Sequence, residues 1–209
     1  MKTYLVELTG RTSLLHHKMT EEVMMNLLQG DKGKKKVTKE YRTPREIASD
    51  HVYQDKEKKY FYIPMGYVVG AFSHVAADYK QTGSRKSIKT IASGVFVPCS
   101  DKAVLLNPKN SKPLKDWEVQ IDKATCGNAG KGTAVVVCRP RFDEWKTRFY
   151  VELEDDLLAP DRAEEILSDS GRRAGIGSWR VNKGGVYGKF SVTMFKEVKE
   201  MKEDKLFKL

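Results

Sequence analysis

Between Gly171 and Phe195 the chain reads GRRAGIGSWRVNKGGVYGKFSVTMF, a connection holding six glycines and five basic residues. No other stretch constrains the fold as much, because glycine adopts left-handed backbone at little cost and lets a second backbone approach closely. What precedes it reads as a helix. Pro160 to Arg173 carries Ala163, Ile166 and Leu167 in helical spacing. Pro160 suits the first turn, and the acidic residues after it suit the positive end of the helix dipole. Trp145 to Leu153 upstream and Tyr187 to Phe195 downstream alternate apolar and polar residues, as half-buried strands do. The order is strand, helix, glycine-rich loop, strand.

A loop with few side chains exposes backbone N–H groups, and successive N–H groups in a tight turn form a concavity for anions. Arg172, Arg173, Arg180, Lys183 and Lys189 surround this one. Arginine forks match phosphate oxygens, and Trp179 or Tyr187 offers a ring on which a base stacks. The loop therefore reads as a nucleic-acid contact surface. A plainer reading stays open beside it, in which the glycines only permit sharp turns and the charges are solvated. The stretch lacks a G-K-[S/T] ending and follows a helix, so neither common nucleotide-binding fingerprint applies.

The charge balance points the same way. The chain has 209 residues with 38 Lys and Arg against 28 Asp and Glu, a net charge of +10, which attracts polyanions. Acidic residues occur throughout, so the basic character comes from clusters. A second cluster lies in residues 29–42, QGDKGKKKVTKEYR, with Lys34, Lys35 and Lys36 at its centre. It has no apolar periodicity and reads as a mobile basic loop able to close on a phosphate backbone, or as a solvated loop that aids solubility.

Other classes lose ground. Cys99, Cys126 and Cys138 are odd in number without C-x-x-C spacing, so neither a disulfide framework nor a metal site is expected. No cofactor motif is present. No apolar run approaches the ~20 residues of a membrane span, and the N-terminus enters a strand directly, so a reducing cytoplasm and no membrane partner are expected.

Along the chain, Thr3 to Leu8 reads as a central strand with Tyr4, Val6 and Leu8 on one face. Thr20 caps a helix with an acidic first turn, and Thr43-Pro44 starts another. Tyr60 to Ile63 reads as a short strand. Pro64 to Tyr79 shows a helical stripe in Val68, Phe72, Val75 and Ala76. Residues 81–132 read as a β-rich insertion, with strands at Ile91 to Pro98, Lys102 to Leu106 and Trp117 to Ile121, and a further strand follows at Thr133 to Cys138. Lys196 to Leu209 reads as a charged surface helix or tail, with an apolar stripe suited to docking on a neighbouring subunit.

The C-terminal strand, helix and glycine-rich loop running into a last strand resemble the RAMP superfamily, the ferredoxin-like RNA-binding proteins of multisubunit CRISPR effector complexes. The segment Arg139-Pro140-Arg141-Phe142-Asp143-Glu144-Trp145, the stretch Gly171 to Phe190 and the opening Thr12-Ser13-Leu14-Leu15-His16-His17 also resemble a phage and prophage protein family. The resemblance implies a single α+β domain with a ferredoxin-like core. It also implies a single-stranded RNA or DNA partner, RNA favoured, and self-association along the strand. Since some members of the superfamily are endoribonucleases with a histidine in this region, a metal-independent ribonuclease using His16 or His17 is the alternative. A phage factor that binds a host protein complex is a third reading.

Overall fold

The computed structural model describes residues 1–28, 41–55, 57–81, 83–126 and 133–207. Lys34, Lys35 and Lys36 lie outside these residues, as does most of the basic loop around them.

The main sheet is antiparallel and is built around β1 (Lys2–Gly10). One edge of β1 pairs with β8 (Lys146–Leu153), and the other with β9 (Phe190–Val198). The far edge of β8 takes two short strands end to end. β4 (Phe96–Pro98) pairs at Leu153 to Val151, and β5 (Lys102–Leu106) at Thr147 and Lys146. β3 (Tyr62–Pro64) pairs beyond β5. Helix α3 (Met65–Val75) lies between β1 and the β4–β5 pair in sequence, and α5 (Pro160–Arg173) links β8 to β9. Taking β4 and β5 as one edge, the chain runs strand, helix, strand, strand, helix, strand, and the first and third strands lie side by side at the centre. That is a ferredoxin-like topology in an α+β fold.

Both helices cover one sheet face. Val68, Phe72 and Val75 of α3 and Ala163, Ile166 and Leu167 of α5 join Val6 and Leu8 of β1 and Phe149 and Val151 of β8 in one core. Phe72 stacks on Phe96 at 4.3 Å between ring centroids. The opposite face departs from simple alternation, because Leu5 and Glu7 are also buried. Glu7 accepts from Arg148 Nε at 2.6 Å and from Thr193 Oγ1 at 2.7 Å, with Lys146 Nζ 3.5 Å away. Burial pushes the Glu7 carboxyl pKa up, but the bonds from Thr193 and Arg148 outweigh it and hold the pKa below its usual range. The expected C-terminal tail crosses this face as a turn and the short helix α6 (Glu203–Leu206). Tyr150 Oη donates to Lys202 O and accepts from Lys202 N, both at 2.9 Å.

Of the stretch read as a β-rich insertion, β4 and β5 join the main sheet. Ile91 to Pro98 is a helical turn, α4 (Ala92–Val95), before it becomes β4. The second sheet is formed by β2 (Leu14–Leu15), β7 (Thr133–Phe142) and β6 (Glu118–Cys126), in the order β2-β7-β6. Ile121 and Val136 are exposed on the β6–β7 hairpin. Helix α1 (Glu21–Leu28) begins after Thr20, whose hydroxyl accepts from Val23 N. Helix α2 (Pro44–Ser49) has a complete capping box between Thr43 and Glu46, as its sequence specifies.

His16 belongs to the core. It is 1% exposed, its ring lies 4.7 Å from that of Phe142, and Nδ1 accepts the Tyr53 N–H at 3.2 Å. Burial pushes its pKa down from 6.5 to about 3.

Two consequences are measurable. Gly171 lies where α5 meets β9, and a Cβ there would overlap the Phe190 carbonyl oxygen, whereas Gly66 and Gly70 on α3 have nothing within 4 Å. Gly171→Ala is expected to destabilise by about 2 kcal/mol or more, read as a lowered melting temperature, while Gly70→Ala is neutral or slightly stabilising. For His16, the unfolded state gains a proton below pH 6.5 that the folded state does not bind. Its contribution is present above that pH and is lost toward pH 3 at about 1.4 kcal/mol per unit. In His16→Asn, whose Oδ1 can replace the Nδ1 acceptor, chemical denaturation between pH 6.5 and 4.5 should show a pH slope smaller by about one proton.

Candidate nucleic-acid interface

The glycine-rich loop is laid down on the segment that precedes β2 and on β2 itself. Ser178 N donates to Leu15 O at 2.9 Å, Gly188 N to Ser13 O at 2.8 Å, and Lys189 N to Thr12 Oγ1 at 3.0 Å. A Cβ at Gly177 would come within 2.7 Å of Leu15 O, and one at Gly188 would overlap Ile176 O. Gly175, Gly177, Gly184 and Gly188 all have positive φ, from 68° to 84°. Gly177 and Gly188 require glycine for close approach and for left-handed backbone together, whereas Gly184, with nothing within 4 Å, requires it for the backbone alone.

The same contacts consume the loop's donors. Ile176 N binds Gly188 O, Asn182 N binds Ala174 O, Gly185 N binds Arg180 O, and Tyr187 N binds Trp179 O. The row of free N–H groups expected from the glycine content is thus largely engaged within the protein. Side-chain charge, more than a backbone nest, is what this surface presents to an anion.

The basic residues divide into two groups. Arg172 and Arg173, at the end of α5, are countered by Asp169 and Asp78, and these hydrogen bonds push both guanidinium pKa values up. Arg180, Lys183 and Lys189, on the loop itself, have no carboxylate within ion-pair distance among the described residues. Among the described residues, Arg180 Nη1 donates only to Gly177 O, at 3.2 Å.

Arg180 borders a cleft of about 140 Å³ between the loop and α3. One wall is Gly66, Tyr67 and Gly70, and the other includes Gly177 and Asn182. Gly66 and Gly70 are four residues apart, so they share one helix face. Helical glycine costs about 1 kcal/mol relative to alanine, yet no neighbour in the fold demands it at either position. Their bareness leaves backbone open on the wall opposite Arg180. Neither glycine was singled out from sequence, although their spacing within an apolar helix was a readable signal.

The two aromatics sit beside the hairpin. Trp179, with φ of 48°, is 37% exposed, and the Arg139 guanidinium lies over its ring at 4.9 Å. Tyr187 is half-buried. His17 is exposed and stacks on His51 at 4.7 Å between centroids. Although its side chain reaches solvent, partial desolvation against its neighbours, then the charges of His51 and Arg139, push its pKa down to about 4. His17 therefore lies near the loop's hairpin side, whereas His16 is enclosed in the core and does not reach the surface. The rings of His17 and His51 are too close to admit a phosphate between them.

No helix among the described residues is long and apolar enough to cross a membrane. No family model matches the chain, and no curated protein matches it. Among solved structures, it is similar to a chain of a complex described as type III-B Cmr-beta bound to cognate target RNA, with a TM-score of 0.57 at 14% identity. The match covers 95% of this chain but only 61% of that one. At this identity the likeness is one of fold, and it agrees with the ferredoxin-like core traced above.

Proposed function

We propose that this protein binds single-stranded nucleic acid, RNA in preference to DNA, without cleaving it. The observation that carries this reading is the cleft in which bare glycine backbone on α3 faces Arg180 of the glycine-rich loop. A sugar-phosphate backbone needs close approach and an unneutralised cation, and this wall offers both. Lys183 and Lys189 extend the charge along the loop, and Trp179 and Tyr187 supply rings for bases. Arg172 and Arg173 would have to exchange their carboxylate partners to take part. Lys34, Lys35 and Lys36, outside the described residues, enter the proposal by their charge alone, as further cations for phosphates. The preference for RNA draws on the solved complex, which is bound to target RNA. Assembly of several copies along one strand, or with other proteins, belongs to the same reading.

The ribonuclease alternative has less support. His16 is sealed in the core, and His17 has no second imidazole placed across a gap from it. A role confined to protein–protein contact would leave the cleft without a use.

The test is fluorescence anisotropy of labelled single-stranded RNA and DNA of one sequence across a salt series, with each sample then run on a denaturing gel. Intact strands and a steep salt dependence are expected. Arg180→Ala should lower the slope of log K against log salt by about one. Gly70→Leu should fill the cleft and weaken binding roughly tenfold or more while the melting temperature is kept. Absence of binding at low salt would sink this reading, and shortened RNA would return weight to His17.

A further inference from the structure

Arg139, on β7, is a buried cation that the fold employs only in part. It is 6% exposed, one Nη donates to Asp122 of β6 at 3.2 Å, and its Nε has no hydrogen-bond partner among the described residues. Burial pushes its pKa down, while Asp122 and then Tyr187 oppose the shift. An apolar side chain at this place would avoid both the desolvation and the unmet donor. What the guanidinium does reach is the Trp179 ring, 4.9 Å from its carbon to the ring centroid.

Trp179 is itself held in an uncommon state. Its φ of 48° lies in the left-handed region, which disfavours bulky side chains. Tyr187 N donates to its carbonyl at 3.2 Å, and Gly185 packs so close that a Cβ there would overlap the same carbonyl. With the backbone locked and Arg139 over the ring, the indole has little freedom left, yet part of it is open to solvent.

We propose that Arg139 is a positioning residue whose guanidinium holds the Trp179 indole as a preformed platform for one base of the bound strand. The inference rests on the nucleic-acid reading above and assigns that site a base-stacking position. A cation over the ring fixes its orientation before the strand arrives, so less side-chain freedom is lost on binding. Because it is buried, Arg139 meets no phosphate and acts only through Trp179.

Anisotropy with oligouridine RNA, and with an abasic strand of the same length, separates this role from simple scaffolding. Trp179→Leu and Arg139→Gln should each weaken oligouridine binding about tenfold, within the range of one stacked base. The double variant should lose about tenfold, not a hundredfold. The salt slope should not change, and all variants should match the wild type on the abasic strand. If Arg139→Gln loses its folded state, Arg139→Lys takes its place, keeping the charge beside Asp122 without the planar fork. A Trp179→Leu protein that binds oligouridine as the wild type does, losses that multiply, or a slope lowered by one for the Arg139 variant would each overturn the inference alone. A wild type that binds no strand would overturn the nucleic-acid reading with it.

Discussion

A side chain at Gly171 would overlap the carbonyl of Phe190, so α5 can lie on the start of β9 only because nothing projects there. This contact fixes where the glycine-rich loop begins and ends. The loop spans from one side of that crossing to the other, and its path is then set by hydrogen bonds to Leu15 O and Ser13 O. Gly177 and Gly188 permit those bonds by letting backbone meet backbone. Everything offered by the candidate site depends on this seating. Arg180 faces α3, and Trp179 meets Arg139, because the loop is pressed onto β2 and the hairpin instead of standing free in solvent.

The sheet is used on both faces for different ends. The helical face holds the apolar core, with Phe72 stacked on Phe96 and Val6 opposite Phe149. On the other face a carboxylate, Glu7, is buried among Arg148, Lys146 and Thr193, and the C-terminal segment lies over Tyr150. A buried carboxylate left unpaired would be costly, and here Arg148 and Thr193 both donate to it. The seam is held by local pairing, whereas Arg180, Lys183 and Lys189 of the glycine loop have no carboxylate within ion-pair distance among the described residues.

Charge alone did not mark that place. Part of the chain's 38 Lys and Arg is held in ion pairs such as Arg42 with Asp50, Lys2 with Asp155 and Arg173 with Asp78. Pairing of this kind lowers the field a surface presents. Arg180, Lys183 and Lys189 have no such partner among the described residues, and neither do Arg85, Lys86 and Lys89; what sets the loop apart is that Arg180 borders the cleft against α3, a property of spatial neighbours that no linear count contains.

What the sequence by itself determined was local. The helix start at Thr43-Pro44, the entry of α5 at Pro160, the existence of β8 and the order strand, helix, glycine loop, strand were all legible, because caps, prolines and periodicity act within a few residues. So was the ferredoxin-like core, through its resemblance to the RAMP superfamily. Only the tertiary structure decided the rest. It put His16 inside the core and His17 outside, though the two are adjacent in sequence, because burial depends on what packs from Tyr53 and Phe142. It spent the loop's N–H groups on Ser13 and Leu15 instead of leaving them for an anion. It also brought Arg139 over Trp179, forty residues later in the chain. Contacts between distant segments follow from how two sheets and a loop pack together, and no window of sequence holds that geometry.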